Sequence, residues 1–228
     1  MRPSDGKQRK EVLRTVKKGM CITYEVDGAL YVNMTNRCSN RCTFCIRNNG
    51  DGAYGSDSLW LEREPTLSEI CESVLSHDLT KYSELVFCGY GEPSYRLDDA
   101  VKVTSLVKEK YPDTKVRINT NGQSDLIFGR DTSKDYSVFD TVSVSLNSPS
   151  AEGYAEICKP CFGISAFDAI LAFARNVRQY VPDTRFSVVG EYLTAEEISE
   201  CKRISKECGV PLRVREYIAP ERKSADKA

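Results

Sequence analysis

The sequence predicts an α/β fold with a mostly parallel sheet, and three observations support that prediction. Short apolar segments alternate with amphipathic, helix-like segments between residues 65 and 215, which is the pattern of parallel sheets. Several of the apolar segments end at glycine or asparagine, as strands do before a turn. The chain has 228 residues and a formal net charge of −1, so it is long enough for one sizeable core but not for two comfortable domains.

The predicted core begins with a β-hairpin, because two strand-like segments flank the turn dipeptide Asp27-Gly28. A long loop rich in Gly, Asn and Asp follows at 48–64. The predicted elements in chain order are strands 22–26 and 30–34, helix 65–77, strand 85–88, helix 97–110, strands 115–119 and 141–146, helices 151–157 and 164–180, strand 185–189, helix 195–208 and strand 211–215. Counting from Leu30 gives about six strands, fewer than the eight of a closed barrel, which leaves a partial barrel or an open sheet.

We divide the chain into a basic, disordered arm at 1–20, a core domain at 21–219 and a flexible tail at 220–228. The arm carries seven Lys or Arg residues against two acidic ones. A basic arm can bind nucleic acid, so a nucleic-acid-associated binding module with a structural metal site is the alternative from another functional class. The arm has no aromatic residue for base stacking, however, and we expect no direct nucleic-acid binding.

The sequence has neither an apolar run that would span a bilayer nor the pattern of a signal peptide. We therefore expect a cytoplasmic protein that has no membrane partner. In that reducing compartment, ten cysteines are expected to be metal ligands and buried thiols instead of disulfides.

Three cysteines within eight residues, Cys38, Cys42 and Cys45, are the strongest functional signal. Their spacing is too tight and uneven for a disulfide pair, and the segment lacks the fourth ligand of a tetrahedral zinc site. A cubane iron–sulfur cluster takes thiolates at short spacings, and three thiolates on four irons leave one iron open for chemistry. The alternative is a zinc knuckle that uses His77, the only histidine, as a distant fourth ligand.

Polar residues and glycines gather where the next predicted strands end, which is where parallel α/β folds place functional groups. The segment Gly89-Tyr90-Gly91-Glu92-Pro93 offers two glycines that let backbone approach a ligand, with a carboxylate beside them. Asn121 follows the next strand, and Ser143, Ser145 and Asn147 alternate along the one after it. Hydroxyl and amide groups at such positions suit hydrogen bonds to ribose or amino-acid groups.

From about residue 29 to residue 218, the chain resembles the radical S-adenosylmethionine (radical SAM) superfamily. The run Cys38-x-x-x-Cys42-x-Phe44-Cys45 has the family's cluster spacing and its aromatic residue before the third cysteine. The segment from Gly89 to Pro93 resembles the family's Gly-Gly-Glu segment, with Tyr90 inserted between the glycines. The resemblance implies a partial (β/α)6 TIM-like barrel with a mostly parallel sheet, plus the short N-terminal β-hairpin.

The resemblance also implies two cofactors, a 4Fe–4S cluster and SAM. Cys38, Cys42 and Cys45 would bind the cluster, and the amino and carboxylate groups of SAM would chelate the open iron. One-electron reduction would cleave SAM and release a 5′-deoxyadenosyl radical, which abstracts hydrogen from an unidentified substrate. The residues expected to contact SAM are Gly89, Gly91, Glu92, Asn121, Ser145, Asn147 and, from an adenine-side motif, Glu191.

Within the superfamily, the chain looks most like the TatD-linked radical SAM proteins, named after a metal-dependent nuclease encoded beside them. This likeness rests on residues 24–47 and on the run from Ser145 to Pro160. It implies a functional link to a TatD-type nuclease but supplies no reaction. A glycyl-radical-enzyme activase and a deazaguanine-type synthase are the alternative reaction types. Whichever reaction the chain carries out, we expect a one-electron donor of the flavodoxin or ferredoxin type as a partner.

Two residue pairs near the predicted site have more than one interpretation. Cys158 and Cys161 form a C-x-x-C pair that can be redox-active, can meet a substrate or can be structural. Arg213 and Arg215 alternate on the last strand and either meet an anionic substrate group or form solvated or structural ion pairs.

Overall fold

A seven-stranded sheet runs through the part of the chain that the computed structural model describes, residues 16–216. The sheet order follows the chain order; β1 pairs antiparallel with β2, and every later pair is parallel. The strands are β1 (Thr23–Val26), β2 (Ala29–Val32), β3 (Leu85–Phe87), β4 (Val116–Thr120), β5 (Thr141–Ser145), β6 (Asp183–Val189) and β7 (Leu212–Arg215). The sheet is open, with β1 and β7 at its edges, which confirms the predicted partial barrel with an N-terminal hairpin.

Six α-helices connect the strands, and two of them begin with the capping boxes of Thr66 with Glu69 and Thr194 with Glu197. The helices are α1 (Leu67–Leu75), α2 (Leu97–Lys110), α3 (Ser124–Phe128), α4 (Ala151–Cys158), α5 (Ala166–Val177) and α6 (Ala195–Cys208). The sequence pattern missed α3, which has five residues and therefore too few turns to show an apolar period. Within residues 16–216, no single helix has the length and apolar composition to cross a bilayer; one pair bent by 109°, Ala151–Cys158 with Gly163–Val177, meets that test in combination.

The two faces of the sheet differ in chemistry, and this difference positions the site. In β4, Val116 and Ile118 are buried in the core that the helices cover, whereas Arg117 and Asn119 between them line a cavity on the opposite, concave face. In β5, Ser143 and other polar side chains face the same cavity. The strands therefore present an apolar side to the helices and a polar side to the interior of the partial barrel.

The last residues of the predicted arm contact the long loop that follows the cysteines. Gly19 forms a bridge with Leu61, and its N–H donates to the Trp60 carbonyl at 2.9 Å. Residues 16–20 of the predicted arm thus pair with the long loop, because an extended backbone there satisfies its hydrogen bonds. The rest of the arm, 1–15, and the predicted tail, 220–228, lie outside the described residues.

Asp140, just ahead of β5, ties the amino ends of two neighbouring strands to α2. Its Oδ2 accepts hydrogen bonds from the Val116 N–H at 2.8 Å and from Lys108 Nζ at 2.6 Å. Burial alone would raise the pKa of Asp140, but the hydrogen bonds from Lys108 and Val116 lower it below its ordinary value. Because the folded state favours the carboxylate, the stabilisation is present above the unfolded-state pKa and is lost as the pH falls through the folded-state pKa.

We expect the Asp140→Asn variant to unfold with a free energy lower by about 1–3 kcal/mol at neutral pH, since a charge-assisted acceptor is lost. The deficit should shrink as the pH falls through the lowered pKa of Asp140, because the wild-type carboxylate then becomes protonated as well. Urea unfolding followed by circular dichroism measures both values. The matched control is Asp113→Asn, at an exposed turn position, which should change the free energy by less than about 0.5 kcal/mol. A deficit that stays constant with pH would contradict this role of Asp140.

Candidate functional site

A cavity of about 330 Å³ opens on the concave face of the sheet. Its size falls at the lower end of the range of about 300–1,000 Å³ that is typical of ligand pockets. Nine of the ten residues that were predicted to bind the cluster or SAM lie together in its wall: Cys38, Cys42, Cys45, Gly89, Gly91, Glu92, Asn121, Ser145 and Asn147. Glu191, Cys158 and Cys161 do not line this cavity.

The three cysteines lie on the loop that follows β2, and all three are half-buried. Burial raises the pKa of the Cys38 thiol to about 12, and the Glu92 carboxylate adds to that shift. Burial also raises the pKa of Cys45, whereas a hydrogen bond with the Cys158 thiol is the larger cause of the raised pKa of Cys42. The thiols therefore stay protonated until a metal displaces their protons, as coordination does.

Backbone hydrogen bonds connect the cysteine loop to the end of α4. The N–H groups of Arg41 and Thr43 donate to the carbonyls of Cys158 and Ile157 at 3.0 and 2.9 Å. The N–H of Cys161 donates to the Ser39 carbonyl at 2.8 Å. These three bonds hold the residues on either side of Cys42 against a helix that lies more than a hundred positions later in the chain.

A buried polar network supports the same loop from the neighbouring strand ends. Asn40 Nδ2 and Gln123 Nε2 each donate to the Tyr154 hydroxyl at 2.9 Å, and Gln123 Nε2 also lies 2.8 Å from Asn40 Oδ1. Asn121 Nδ2 donates to the Ser39 hydroxyl at 2.8 Å. Neither Asn40 nor Gln123 was predicted to have a role, although Asn40 lies within the cysteine motif and Gln123 follows Asn121-Gly122.

Arg47 is the cation beside the cysteine loop, and the sequence analysis did not single it out. Its guanidinium lies over the Trp60 ring, 5.8 Å from the centroid, and donates to the Asn40 carbonyl at 3.2 Å. Its positive charge lowers the pKa of all three thiols, against the effect of burial. Its place two residues after Cys45 is the signal that would have found it.

The two glycines after β3 are required by the packing of the chain against itself. A Cβ on Gly91 would lie 2.1 Å from the Thr35 carbonyl oxygen, and one on Gly89 would lie 2.2 Å from Asn33 Oδ1. From the sequence alone, these glycines were predicted to let the backbone approach a ligand. The structure gives another reason, which is that the turn presses against the segment leading from β2 to the cysteine loop.

Tyr90, between the two glycines, anchors the long loop that follows the cysteines. Its hydroxyl lies within hydrogen-bonding distance of the Gly50 and Gly52 carbonyls, at 3.0 and 2.9 Å. Its ring packs edge-on against Trp60, with centroids 5.3 Å apart. The residue that departs from the family's Gly-Gly-Glu pattern thus fastens the loop to the cavity wall.

Glu92 is a buried carboxylate that joins the ends of β3 and β4. Its Oε1 accepts hydrogen bonds from the Thr120 hydroxyl at 2.7 Å and the Ser94 N–H at 3.1 Å, and its Oε2 accepts from the Asn121 N–H at 2.7 Å. Three of its four acceptor positions are therefore filled, which leaves one on Oε2. Burial raises the pKa of Glu92, and the hydrogen bonds from Thr120 and Asn121 oppose that shift.

The remaining predicted contacts occupy different environments. Asn147, in the left-handed region with φ of 56°, has a buried Oδ1 for which the described residues supply no hydrogen-bond partner. Ser145 lines the cavity beside it. The Asn121 amide is already engaged, because its Oδ1 accepts from the Gln123 N–H at 3.1 Å. Glu191 is exposed on a short turn after β6.

The C-x-x-C pair splits into one buried and one exposed cysteine. Cys158 is fully buried, contacts Cys42 and accepts a hydrogen bond from Asn147 Nδ2 at 3.7 Å. Cys161 is exposed, and both are free thiols. The pair therefore differs in access to solvent, and only Cys158 touches a cysteine of the loop.

The zinc-knuckle alternative finds no support in this part of the chain. Both ring nitrogens of His77 have hydrogen-bond partners, Thr23 at 3.2 Å and Tyr82 at 3.1 Å. Between residues 16 and 216, no group of three or more His, Cys, Asp or Glu side chains is arranged to hold a metal ion. The thiolates of a cubane cluster bind different irons and need not converge on one point.

Comparison with protein families gives one match. The sequence model described as "Radical SAM superfamily" matches residues 32–203, which is most of the chain. Among curated protein sequences, no relative matches at a significant level.

Several solved structures have a similar fold. Native anSMEcpe with bound AdoMet is 19% identical, with a TM-score of 0.58, over 87% of this chain and 53% of that one. A radical SAM methyltransferase from Sphaerobacter thermophilus is 15% identical, with a TM-score of 0.55, over 85% and 68% of the two chains. Streptococcus suis SuiB bound to precursor peptide SuiA is 18% identical, with a TM-score of 0.62, over 87% and 42%. At these identities the likeness shows the fold alone, and the chain spans about half the length of anSMEcpe.

Proposed function

The chain belongs to the radical SAM superfamily, and we propose that it cleaves SAM reductively at a 4Fe–4S cluster to form a 5′-deoxyadenosyl radical, which takes hydrogen from a substrate. The family uses both of these cofactors. The observation that carries the proposal is that the cysteine loop and the Gly89–Glu92 turn line one cavity. An electron donor is needed as well, and we propose one of the flavodoxin or ferredoxin type.

The residues of the loop suit an iron–sulfur cluster. Cys38, Cys42 and Cys45 supply three thiol donors from one short segment, which the end of α4 holds in place. Arg47 supplies a positive charge beside them, which favours their thiolate forms. We propose these three cysteines as the cluster ligands, with the fourth iron left to SAM.

The opposite wall suits the polar groups of SAM. The free acceptor position on Glu92 Oε2 can receive an ammonium N–H, and the buried Asn147 Oδ1 can receive a hydroxyl. We propose Gly89, Gly91, Glu92, Ser145 and Asn147 as SAM contacts. Asn121 already bonds within the protein, so its contribution is to position the cysteine loop through Ser39. A contact from Glu191 stays a prediction, since Glu191 lies outside the cavity wall.

We further propose that the chain belongs to the TatD-linked group and acts together with a TatD-type nuclease. In support, Tyr154 and Cys158 lie in the run that carries this resemblance, and both contact the cysteine loop. We also propose a cytoplasmic location, because ten free cysteines and a cluster of this kind require a reducing compartment.

The proposal is tested by anaerobic reconstitution of the full chain with iron and sulfide, followed by addition of SAM and dithionite. We expect an iron–sulfur absorbance band, about four irons per chain from the cluster stoichiometry, and formation of 5′-deoxyadenosine detected by chromatography. A protein that holds the cluster and binds SAM but forms no 5′-deoxyadenosine would contradict the proposed function.

The Cys158→Ala variant is expected to make the cluster harder to reduce. The Cys158 thiol can donate a hydrogen bond to the Cys42 sulfur, which favours the more negative, reduced cluster. Its loss should move the midpoint potential to more negative values by tens of millivolts, where about 59 mV is a tenfold change for one electron. Spectroelectrochemical titration measures the shift. Cys161→Ala is the control and should leave the potential unchanged; equal potentials in all three proteins would refute the role of Cys158.

A further inference from the structure

The cavity extends beyond the residues assigned to the cluster and SAM, as far as the edge strand β7. Arg213 and Arg215 line it there, on the same face of the strand. Four strands separate β7 from β2, whose end carries the cysteine loop. The arginine pair therefore belongs to a part of the wall that the proposed cofactors do not account for.

The charges of this pair lack the carboxylate partners that neighbouring strands supply to their arginines. Arg117 on β4 forms an ion pair with Glu84 at 2.6 Å, and Arg185 on β6 pairs with Asp183. Within residues 16–216, neither Arg213 nor Arg215 forms an ion pair. The cavity wall thus carries two guanidinium groups that form no ion pair within residues 16–216, although Glu92 and Glu216 also line the cavity.

Arg215 also has a buried donor that lacks an acceptor within residues 16–216. Its Nε is inaccessible to solvent and has no hydrogen-bond acceptor among the described residues. Buried guanidinium donors are nearly always satisfied in native proteins, because leaving one unpaired is costly. An acceptor from a bound molecule would remove that cost.

The positive charge of Arg215 affects two other residues of the cavity wall, Tyr54 and Cys88. Burial raises the pKa of Tyr54 to about 12 and raises the pKa of Cys88, and in both cases the Arg215 guanidinium opposes the shift. Tyr54, on the long loop, and Cys88, directly after β3, line the same cavity as Arg215.

We propose that Arg213 and Arg215 bind an anionic group, a carboxylate or a phosphate, of the substrate. This inference rests on the proposed function, since it assumes that the same cavity holds the molecule that donates hydrogen. The planar fork of arginine matches the paired oxygens of such groups, and charge-assisted hydrogen bonds of this kind are stronger than neutral ones. The carboxylate of SAM offers the same chemistry, and the experiment below separates the two sources.

The test uses the full chain and inorganic phosphate as the probe, measured by equilibrium dialysis with saturating SAM and again without cluster or SAM. We expect the wild type to bind phosphate in both states. Arg213→Gln and Arg215→Gln should weaken that binding at least about tenfold, as the loss of charged hydrogen bonds does. Arg215→Lys keeps the positive charge but lacks the planar guanidinium, so its affinity for phosphate should lie between those of the wild type and Arg215→Gln. The control Arg185→Gln, whose side chain pairs with Asp183, should bind phosphate as the wild type does.

Two results would overturn the inference. One is phosphate binding that is absent from the wild type or unchanged in both glutamine variants. The other is a parallel loss of SAM affinity in those variants, which would assign the arginines to the SAM carboxylate. If the wild type binds phosphate but does not cleave SAM, the proposed function is refuted while the assignment of the anion site is retained. Unfolding midpoints equal to that of the wild type show that each variant is folded.

Discussion

Replacing Cys42 with alanine is expected to abolish cluster assembly and to reduce SAM cleavage at least about 100-fold. Even the outer-sphere partners of a metal ligand change affinity or activity by about 10–100-fold, so the loss of one of three ligands should exceed that range. The position also has no substitute, because the neighbouring Cys158 belongs to a helix end that is fixed by backbone hydrogen bonds. Iron and sulfide content per chain, the iron–sulfur absorbance band and 5′-deoxyadenosine formation are the three measurements.

The matched control for Cys42 is Cys71→Ser on α1. Cys71 is a half-buried cysteine outside the cavity wall, so its replacement should leave iron content and SAM cleavage at wild-type levels. Normal metal content and SAM cleavage in Cys42→Ala would show that the cysteine loop does not hold the cluster. A loss in both variants would point to a general effect of cysteine replacement on folding.

The parallel sheet was predictable because its signals are local. Each strand is a short apolar run, each long helix has an apolar stripe, and α6 begins and ends where Thr194 and Gly209 indicate. The same locality explains why the nine cavity residues could be found: strand order equals chain order, so successive strand ends lie side by side.

What the sequence did not reveal depends on contacts between distant positions. The hydrogen bond from Asn40 to Tyr154 joins residues 114 positions apart, and nothing near either residue encodes the other. The glycines after β3 were recognised, but the packing that requires them involves Asn33 and Thr35, in the segment after β2. The burial of Arg215 Nε without an acceptor among the described residues likewise depends on the tertiary structure around the cavity.

The Glu92→Gln variant is expected to lose both stability and affinity for SAM. Three donors converge on the carboxylate, namely the Ser94 N–H, the Thr120 hydroxyl and the Asn121 N–H. A glutamine amide has one oxygen, so either orientation points its NH₂ group at one of the two backbone N–H groups and leaves that donor unsatisfied. This should lower the free energy of unfolding by about 1–3 kcal/mol.

The affinity for SAM should fall at least about tenfold in the same variant, equivalent to ~1.4 kcal/mol, because the charged acceptor for the ammonium group is lost. Thr120→Val is the matched control: it removes a donor to Glu92 but keeps the charge, so it should lower stability while changing SAM affinity less. Urea unfolding and equilibrium binding of SAM separate the two effects. Equal losses of SAM affinity in Glu92→Gln and Thr120→Val would make Glu92 a structural residue only.

The pH dependence of SAM binding distinguishes a contact with the cofactor from a purely structural role of Glu92. Burial raises the pKa of Glu92, so the carboxylate becomes protonated in the fold at a higher pH than an exposed glutamate does. Protonation of Glu92 removes a buried charge, so the protonated form stabilises the fold. This stabilisation is fully present below the unfolded-state pKa of Glu92 and is lost as the pH rises through its folded-state pKa. Binding of the SAM ammonium requires the opposite form, the carboxylate. Wild-type affinity should therefore weaken as the pH falls through the raised pKa while Glu92→Gln stays flat, and parallel pH profiles in the two proteins would exclude Glu92 as the ammonium acceptor.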